Sequence, residues 1–365
     1  MFLVVFMVYI VGWMLNYITT FLWSMGFRKK LVFLIPLFYI GLITLVRYSG
    51  TDTYEVYELG FRDIWNAQDN IIDNIIIEGW EPGFVFLAET LLLLTSSEVW
   101  AVRSIGALFI FLLLFYLLRA DRTEVKFLSL YFIPVFIYQY GMNAIRAGLG
   151  VVLILLAWQA LRRGKWYHFA LLGLAGLTFH YSMLLPLALL LFFELKPKDW
   201  RVSLATVLTV SLAAFFLATR QEYFLSKLAF YLDFDSPTEF SGISRLGMIL
   251  LMWLFFAASS LPVAAKIRTF VFLVALAFGF QVLASFSYAG LRFLELMAFV
   301  VPLVLIREYE RAGKVPGKVF WLGLAVTGVL GAAFVYRNFL SDFDGQMTGT
   351  PTPFLPYRTI FDYKP

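Results

Sequence analysis

The sequence predicts an all-α protein that crosses a membrane about twelve times. Of its 365 residues, 61% are hydrophobic and only 15% are charged, whereas soluble domains carry roughly 45–50% apolar and about 25% charged residues. The mean hydropathy is +0.81, and one globular core cannot bury that much apolar surface. The chain therefore needs lipid as a solvent, and in lipid a helix satisfies its own backbone hydrogen bonds.

Apolar runs separated by polar or charged segments mark the individual helices. The predicted membrane spans lie near residues 2–25, 31–46, 99–118, 127–142, 146–161, 166–179, 182–195, 202–219, 246–264, 269–287, 293–306 and 319–336. The apolar stretch 84–94 is shorter than the roughly 20 residues that a spanning helix needs. It is predicted to be a re-entrant or surface helix.

The positions of Lys and Arg predict the orientation, because cytoplasmic loops carry an excess of both. With the spans above, six basic clusters fall on one side: Arg28 to Lys30, Arg119 to Lys126, Arg162 to Lys165, Lys196 to Arg201, Lys266 to Arg268 and Arg307 to Lys318. That side is the cytoplasm, so both termini are predicted on the outer side. Counting 84–94 as a full span would move the later clusters to the wrong side.

The chain is predicted to form a single integral membrane domain over residues 1–365, with outer loops at 47–98 and 220–245. In the first loop Tyr54, Tyr57, Phe61 and Trp65 recur at helical spacing, which predicts an amphipathic helix on the membrane surface. The tail that follows residue 337 is rich in Pro, Thr and Asp and is predicted to be irregular.

Composition excludes several kinds of site. The sequence has no cysteine and two histidines, so disulfides, thiolate nucleophiles, zinc–thiolate centres and multi-histidine metal sites are ruled out. No metal site and no cofactor are predicted.

Arginine dominates the basic residues of the predicted outer side, and the positive-inside rule does not explain this. Four of these arginines lie at helix ends: Arg47, Arg103, Arg146 and Arg292. A guanidinium suits bidentate binding of phosphate and tolerates partial burial, so the four are candidate ligands of a diphosphate. The alternative is that each extends towards lipid headgroups.

Three residues are candidate bases on the same side: Asp52, Glu81 and His180. Asp52 followed by Glu55 also fits a helix-capping pattern. Glu81 before Pro82 is also an ordinary helix start. His180 interrupts two short spans, although a lone histidine is more often structural.

Further candidates surround these positions. Asn143 precedes a helix whose N-terminus, together with Arg146, would bind an anion. Tyr54, Tyr57 and Asn143 are candidate sugar contacts, since aromatic rings stack on sugars and amides bind hydroxyls. Arg292 and Glu295 are three residues apart, so they could instead pair with each other.

Together these residues resemble the EpsG family of bacterial exopolysaccharide polymerases, which is related to the Wzy O-antigen polymerases. The resemblance covers roughly residues 30–310 and is carried by four ordered motifs: Arg47…Gly50-Thr51-Asp52…Tyr57…Phe61, Glu81-Pro82-Gly83-Phe84, Ile145-Arg146…Leu149 and Phe179-His180-Tyr181-Ser182. Family members often have Gln where this chain has Ala147, so the third motif is looser here.

The resemblance implies a glycosyltransferase with a GT-C-like fold in the bacterial cytoplasmic membrane, acting on its outer face without a metal. Such an enzyme transfers a growing glycan from a polyprenyl diphosphate to the next lipid-linked repeat unit. Its implied partners are the polyprenyl-diphosphate-linked oligosaccharide, the lipid bilayer and a chain-length regulator, with no nucleic acid.

Three other functions stay open from the sequence. A flippase or transporter of lipid-linked glycan would carry charged residues at mid-membrane depth, whereas the unexplained charges here lie towards one side. A glycosyltransferase or ligase that makes a single transfer would use the same chemistry, but it would add one unit. A scaffold subunit of a glycan-assembly complex is also compatible with the sequence.

Overall fold

A computed structural model describes residues 2–26, 29–48, 53–67, 80–194, 241–341 and 352–361. Within these ranges the protein is all-helical, as predicted, apart from a bridge between Arg47 and Thr359. The first helices are α1 (Phe2–Ser24), α2 (Leu34–Val46, after a 3₁₀ turn at Lys30–Phe33), α3 (Leu59–Ala67, after a π-helical turn at Thr53–Glu58), α4 (Pro82–Thr95) and α5 (Glu98–Arg119).

The later part of the chain is helical in the same way. It contains α6 (Arg122–Phe127), α7 (Ile133–Tyr138), α8 (Ile145–Arg162), α9 (Trp166–Phe179), α10 (Leu184–Glu194), α11 (Ile243–Ala257), α12 (Val263–Thr269), α13 (Ala275–Ala284), α14 (Tyr288–Arg311) and α15 (Lys318–Phe339). π-helical turns occur at Leu128–Phe132, Gln139–Asn143 and Phe270–Val274. Such turns widen a helix locally and recur near functional sites.

Helices occupy every predicted span except 202–219, which lies outside the described residues. Within the described ranges, five helices are long and apolar enough to cross a membrane: α5, α8, Val263–Ala284, α14 and α15. Shorter apolar helices lie at Lys30–Val46, Pro82–Thr95, Trp166–Phe179, Tyr181–Glu194 and Ile243–Ala257. The number of twelve spans and the outer location of the termini stay predictions.

Local sequence explains where several helices begin. Asp121 accepts a hydrogen bond from the backbone nitrogen of Glu124, and the Glu124 side chain accepts one from the backbone of Asp121, which is a complete capping box at the start of α6. Ser287 accepts from the backbone nitrogen of Ala289 at the start of α14. Helix α4 has Pro82 in its first turn, where the missing N–H of proline costs no hydrogen bond.

Contacts divide the chain into two compact units, and the single domain over 1–365 stays a prediction. The first unit comprises residues 1–159, 174–181 and 328–365, and the second comprises 160–173 and 182–327. In the first unit α2 packs against α1 and α5, and α4 packs against α5. Phe33, Ile40 and Phe109 are fully buried in this unit.

The C-terminal segment 352–361 is irregular, as predicted, but it is held by defined hydrogen bonds. Its backbone pairs with the end of α2: Tyr48 N donates to Arg358 O at 2.7 Å and Ile360 N donates to Val46 O at 2.9 Å. The Tyr357 hydroxyl donates to the Ile43 carbonyl at 2.7 Å. The segment therefore covers the C-terminal end of α2 within the first unit.

The second unit is organised around α14, which packs against α10, α11 and α13. Arginines from the basic clusters of the sequence form ion pairs there: Arg307 with Glu194 and Glu310, Arg268 with Glu308, and Arg162 with Glu310. These arginines were predicted only as cytoplasmic markers. The structure shows that they also connect helix ends.

Candidate functional site

A buried carboxylate, Glu81, joins three segments of the first unit. It directly precedes α4 and has no exposed surface. Its Oε2 atom accepts a hydrogen bond from Arg146 Nη1 at 3.0 Å, and its Oε1 atom lies 2.9 Å from His180 Nδ1. The backbone nitrogen of Tyr181 also donates to Oε1, at 3.3 Å. The sequence predicted all three side chains as site residues, and the structure brings them together.

Gly83 explains why Glu81 reaches His180. A Cβ atom on Gly83 would lie 2.3 Å from Thr178 Oγ1 and 2.9 Å from the Thr178 carbonyl oxygen. The first turn of α4 therefore approaches the last turn of α9 at a distance that only glycine permits. His180 follows α9 directly, so this contact places its ring beside Glu81.

Arg146 occupies the first turn of α8 and is held by aromatic rings as well as by Glu81. Its guanidinium carbon lies 5.6 Å from the ring centre of Trp80, 5.8 Å from that of Phe84 and 6.0 Å from that of Tyr57. Cations are attracted to ring faces at such distances. The side chain keeps 15% of its surface exposed.

The electrostatics of the site keep Glu81 ionised. Burial raises the pKa of Glu81, but the charge of Arg146 and the charge and hydrogen bond of His180 outweigh burial, and the pKa falls to about 2. A carboxylate that is this acidic and fully buried is a poor proton acceptor for a substrate. Although Glu81 was one of the three predicted bases, it is better suited to orient Arg146 and His180 than to accept a proton.

His180 has the geometry of an oriented base. An ionised carboxylate only accepts hydrogen bonds, so the Nδ1 atom carries the hydrogen that Glu81 binds. In the neutral ring, the second nitrogen, Nε2, holds a lone pair. The side chain is 29% exposed, which leaves the ring accessible from outside the protein. A carboxylate that fixes a histidine in this way recurs in hydrolases.

Arg103 and Arg47 are buried nearby in the first unit. Arg103 Nη1 lies 2.5 Å from Glu58 Oε1, and Arg103 Nε donates to the Arg47 carbonyl at 3.0 Å. Both arginines are 1% exposed. Burial and the charge of Arg103 lower the pKa of Arg47 to about 9, against the opposite effect of Tyr9, Tyr357 and Glu58. Neither side chain is open to a diphosphate in this conformation.

The remaining predicted residues are distributed as follows. Asp52 and the side chain of Tyr54 lie outside the described residues. Asn143 is 9% exposed and ends the π-helical turn before α8. Arg292 belongs to the second unit, where it pairs with Glu295 at 3.8 Å, as the spacing allowed. Its role in diphosphate binding stays a prediction.

The first outer loop forms the predicted helix, but its apolar face packs against protein. Tyr57 is 3% exposed and Phe61 is fully buried. The Phe61 ring centre lies 5.8 Å from that of Trp80 and 6.0 Å from that of Phe84. Tyr57 and Phe61 therefore face protein, and the location of this helix at the membrane surface stays a prediction. Tyr57 contacts Arg146 and offers little surface to a sugar.

Sequence reasoning missed Glu58 and Trp80. Glu58 was not predicted as a site residue, yet it is 2% exposed and pairs with Arg103. A buried arginine requires a carboxylate partner, and that requirement was the available signal. Among the described residues, no group of three or more His, Asp or Glu side chains is arranged to hold a metal ion.

Comparison with known proteins gives one match. A model of the EpsG family matches residues 29–359 of this chain. The matched range includes Glu81, Arg146 and His180, as well as residues 352–359 of the C-terminal segment that covers the end of α2. No curated protein and no solved structure matches the chain.

Proposed function

Because the chain belongs to the EpsG family of Wzy-like polysaccharide polymerases, we propose that it polymerises oligosaccharide repeat units linked to polyprenyl diphosphate. The reaction takes place on the outer face of the bacterial cytoplasmic membrane. The observation that carries the proposal is the contact of one buried carboxylate with both His180 and Arg146. An imidazole and a guanidinium that share one carboxylate support a site with a base beside a cation.

His180 acts as the base in this proposal. Its Nε2 atom takes the proton from the attacking hydroxyl of the acceptor repeat unit. The ring then becomes an imidazolium, which the charge of Glu81 stabilises through Nδ1. Glu81 stays ionised throughout, because its pKa of about 2 is far below neutral pH.

Arg146 acts on the leaving group. The acceptor oxygen forms a bond to the anomeric carbon of the donor glycan while the bond from that carbon to the diphosphate oxygen breaks. The electron pair of the broken bond stays on the polyprenyl diphosphate. A guanidinium already fixed by Glu81 and three rings stabilises this charge without reorganising. The backbone N–H groups at the start of α8 add further donors.

The direct test uses purified protein in lipid nanodiscs. The substrate is the polyprenyl-diphosphate-linked repeat unit extracted from the parent organism after deletion of this gene. We expect a ladder of products on a gel. His180→Gln and Arg146→Lys should each lower turnover at least 100-fold, because removal of a base or of a fixed donor costs about this much. The matched controls are His168→Gln and Arg337→Lys, which change exposed residues.

Other outcomes of this assay would point to a different function or a different mechanism. One added unit instead of a ladder would identify a single-transfer glycosyltransferase or ligase. Absence of any new glycan with the unaltered protein would favour a flippase or a scaffold and would overturn the proposal. A normal ladder from His180→Gln would leave the polymerase function intact but would remove the histidine from its mechanism.

A further inference from the structure

We propose that Arg103 is a positioning residue, which holds Arg146 in place through Glu58 and Tyr57. The inference rests on the proposed function, because Arg146 is the residue whose position matters. It also gives Arg103 a different task from the diphosphate binding that its place at a helix end suggested.

Arg103 connects three segments of the first unit. Its Nη1 atom binds Glu58 Oε1 at 2.5 Å and donates to the Val99 carbonyl at 2.9 Å, within its own helix α5. Its Nε atom donates to the carbonyl of Arg47, at the end of α2. The Arg103 side chain is fully buried and that of Glu58 is 3% exposed. The π-helical turn Thr53–Glu58 is thus fixed to α2 and α5 at one point.

Glu58 is adjacent in sequence to an aromatic residue that contacts Arg146. Tyr57 precedes Glu58 in the same turn, and its ring centre lies 6.0 Å from the Arg146 guanidinium. The ring also contacts Trp80 and Phe84, at 6.1 Å and 5.9 Å between ring centres. Neighbouring residues of a helix point in different directions, so Glu58 reaches α5 while Tyr57 reaches Arg146. Release of Glu58 frees the turn and the ring that it carries.

A second ion pair between the same segments provides a matched control. Arg62 of α3 pairs with Glu98 of α5 at 2.9 Å, and their side chains are 48% and 29% exposed. Exposed pairs contribute little to stability, whereas loss of one partner from a buried pair leaves an uncompensated charge. Both pairs join α5 to the continuous helical segment 53–67, and they differ in burial.

The experiment measures kcat and KM in the polymerase assay for Glu58→Gln, Arg103→Gln and the double variant, beside Glu98→Gln and Arg62→Gln. We expect Glu58→Gln to lower kcat at least 10-fold, with KM changed less than 3-fold, because Arg146 acts on charge that develops during the reaction. The double variant should be no worse than either single variant, since the two residues act as a unit. The controls should keep wild-type kcat.

Hydrogen exchange of the substrate-free protein provides an independent measurement. Glu58→Gln should speed exchange in the peptide covering 53–67, and Glu98→Gln should not. If Glu58→Gln does not yield folded protein, Arg103→Lys replaces it, since it keeps the buried charge and loses the planar fork of donors. Wild-type kcat or unchanged exchange in a folded Glu58 or Arg103 variant would overturn the inference. Absence of a ladder from the wild type would overturn the proposed function instead, while hydrogen exchange still decides the role of Arg103.

Discussion

Glu81 shows how the role of a residue follows from its surroundings. In the sequence it was one of three equivalent candidate bases, beside Asp52 and His180. The structure gives it two cationic or potentially cationic partners and no contact with solvent. Its low pKa makes it an acceptor of hydrogen bonds at any physiological pH. No local pattern contains this information, because the partners lie 65 and 99 residues away along the chain.

The lowered pKa of Glu81 predicts an acid-dependent loss of stability. A folded-state pKa of about 2 lies below the ordinary value of 4.5, so the carboxylate stabilises the fold above pH 4.5. This stabilisation disappears as the pH falls towards 2. A shift of this size corresponds to roughly 3 kcal/mol at neutral pH. The difference in Tm between wild type and Glu81→Gln should shrink as the pH falls from 4.5 to 3.

Thermal unfolding in detergent at a series of pH values measures this difference. Glu98→Gln is the control, because Glu98 is part of an exposed pair that should contribute little at any pH. A Tm difference for Glu81→Gln that stays the same at pH 3 and pH 7 would contradict the assignment of Glu81 as an ionised, buried anchor.

At the scale of the element, helix positions were predictable and the π-helical turns between them were not. Apolar runs gave the positions of α1, α5 and α15 to within a few residues. The π-helical turns were not predicted, because hydrophobic periodicity does not distinguish them from α-helix over five or six residues. The turn Gln139–Asn143 directly precedes α8, so one of these unpredicted features stands next to Arg146.

The close contact between α4 and α9 predicts a strong effect of Gly83→Ala. The added Cβ would lie 2.3 Å from Thr178 Oγ1, so the start of α4 must move and Glu81 must move with it. We expect a loss of about 1–3 kcal/mol in stability and at least a 10-fold lower kcat. Gly247→Ala is the control, since no atom lies within 4 Å of its added Cβ and alanine favours the helix by about 0.5–1 kcal/mol.

The two variants are compared by Tm and by kcat in the polymerase assay. Both replace a helical glycine by alanine, so they share the gain in helix propensity and differ in the space available. Wild-type turnover in Gly83→Ala would show that the site tolerates separation of α4 from α9, and the positioning role of Gly83 would then be wrong.

For the whole molecule, the side of the membrane on which each segment lies was predicted from Lys and Arg alone. The contacts of Glu81 supply an independent argument. They require the starts of α4 and α8 and the end of α9 to lie on one side. If α5 and the segment containing α6 and α7 each cross once, Glu81 and Arg146 lie on the same side only when α4 does not cross. At 14 residues, α4 is about 21 Å long, short of the roughly 30 Å hydrocarbon core.

Single cysteines test this topology, and the chain itself has no cysteine that would react. Ser96→Cys, Ser260→Cys and Ser285→Cys replace one oxygen by sulfur in the connections after α4, α11 and α13. With α4 re-entrant, positions 96 and 285 should react with a membrane-impermeant maleimide on intact spheroplasts, and position 260 only after lysis. With α4 crossing, position 96 would be protected. If α4 crosses, the contacts of Glu81 require that another predicted span does not cross. Protection of position 96 would therefore also contradict the predicted location of the site on the outer face.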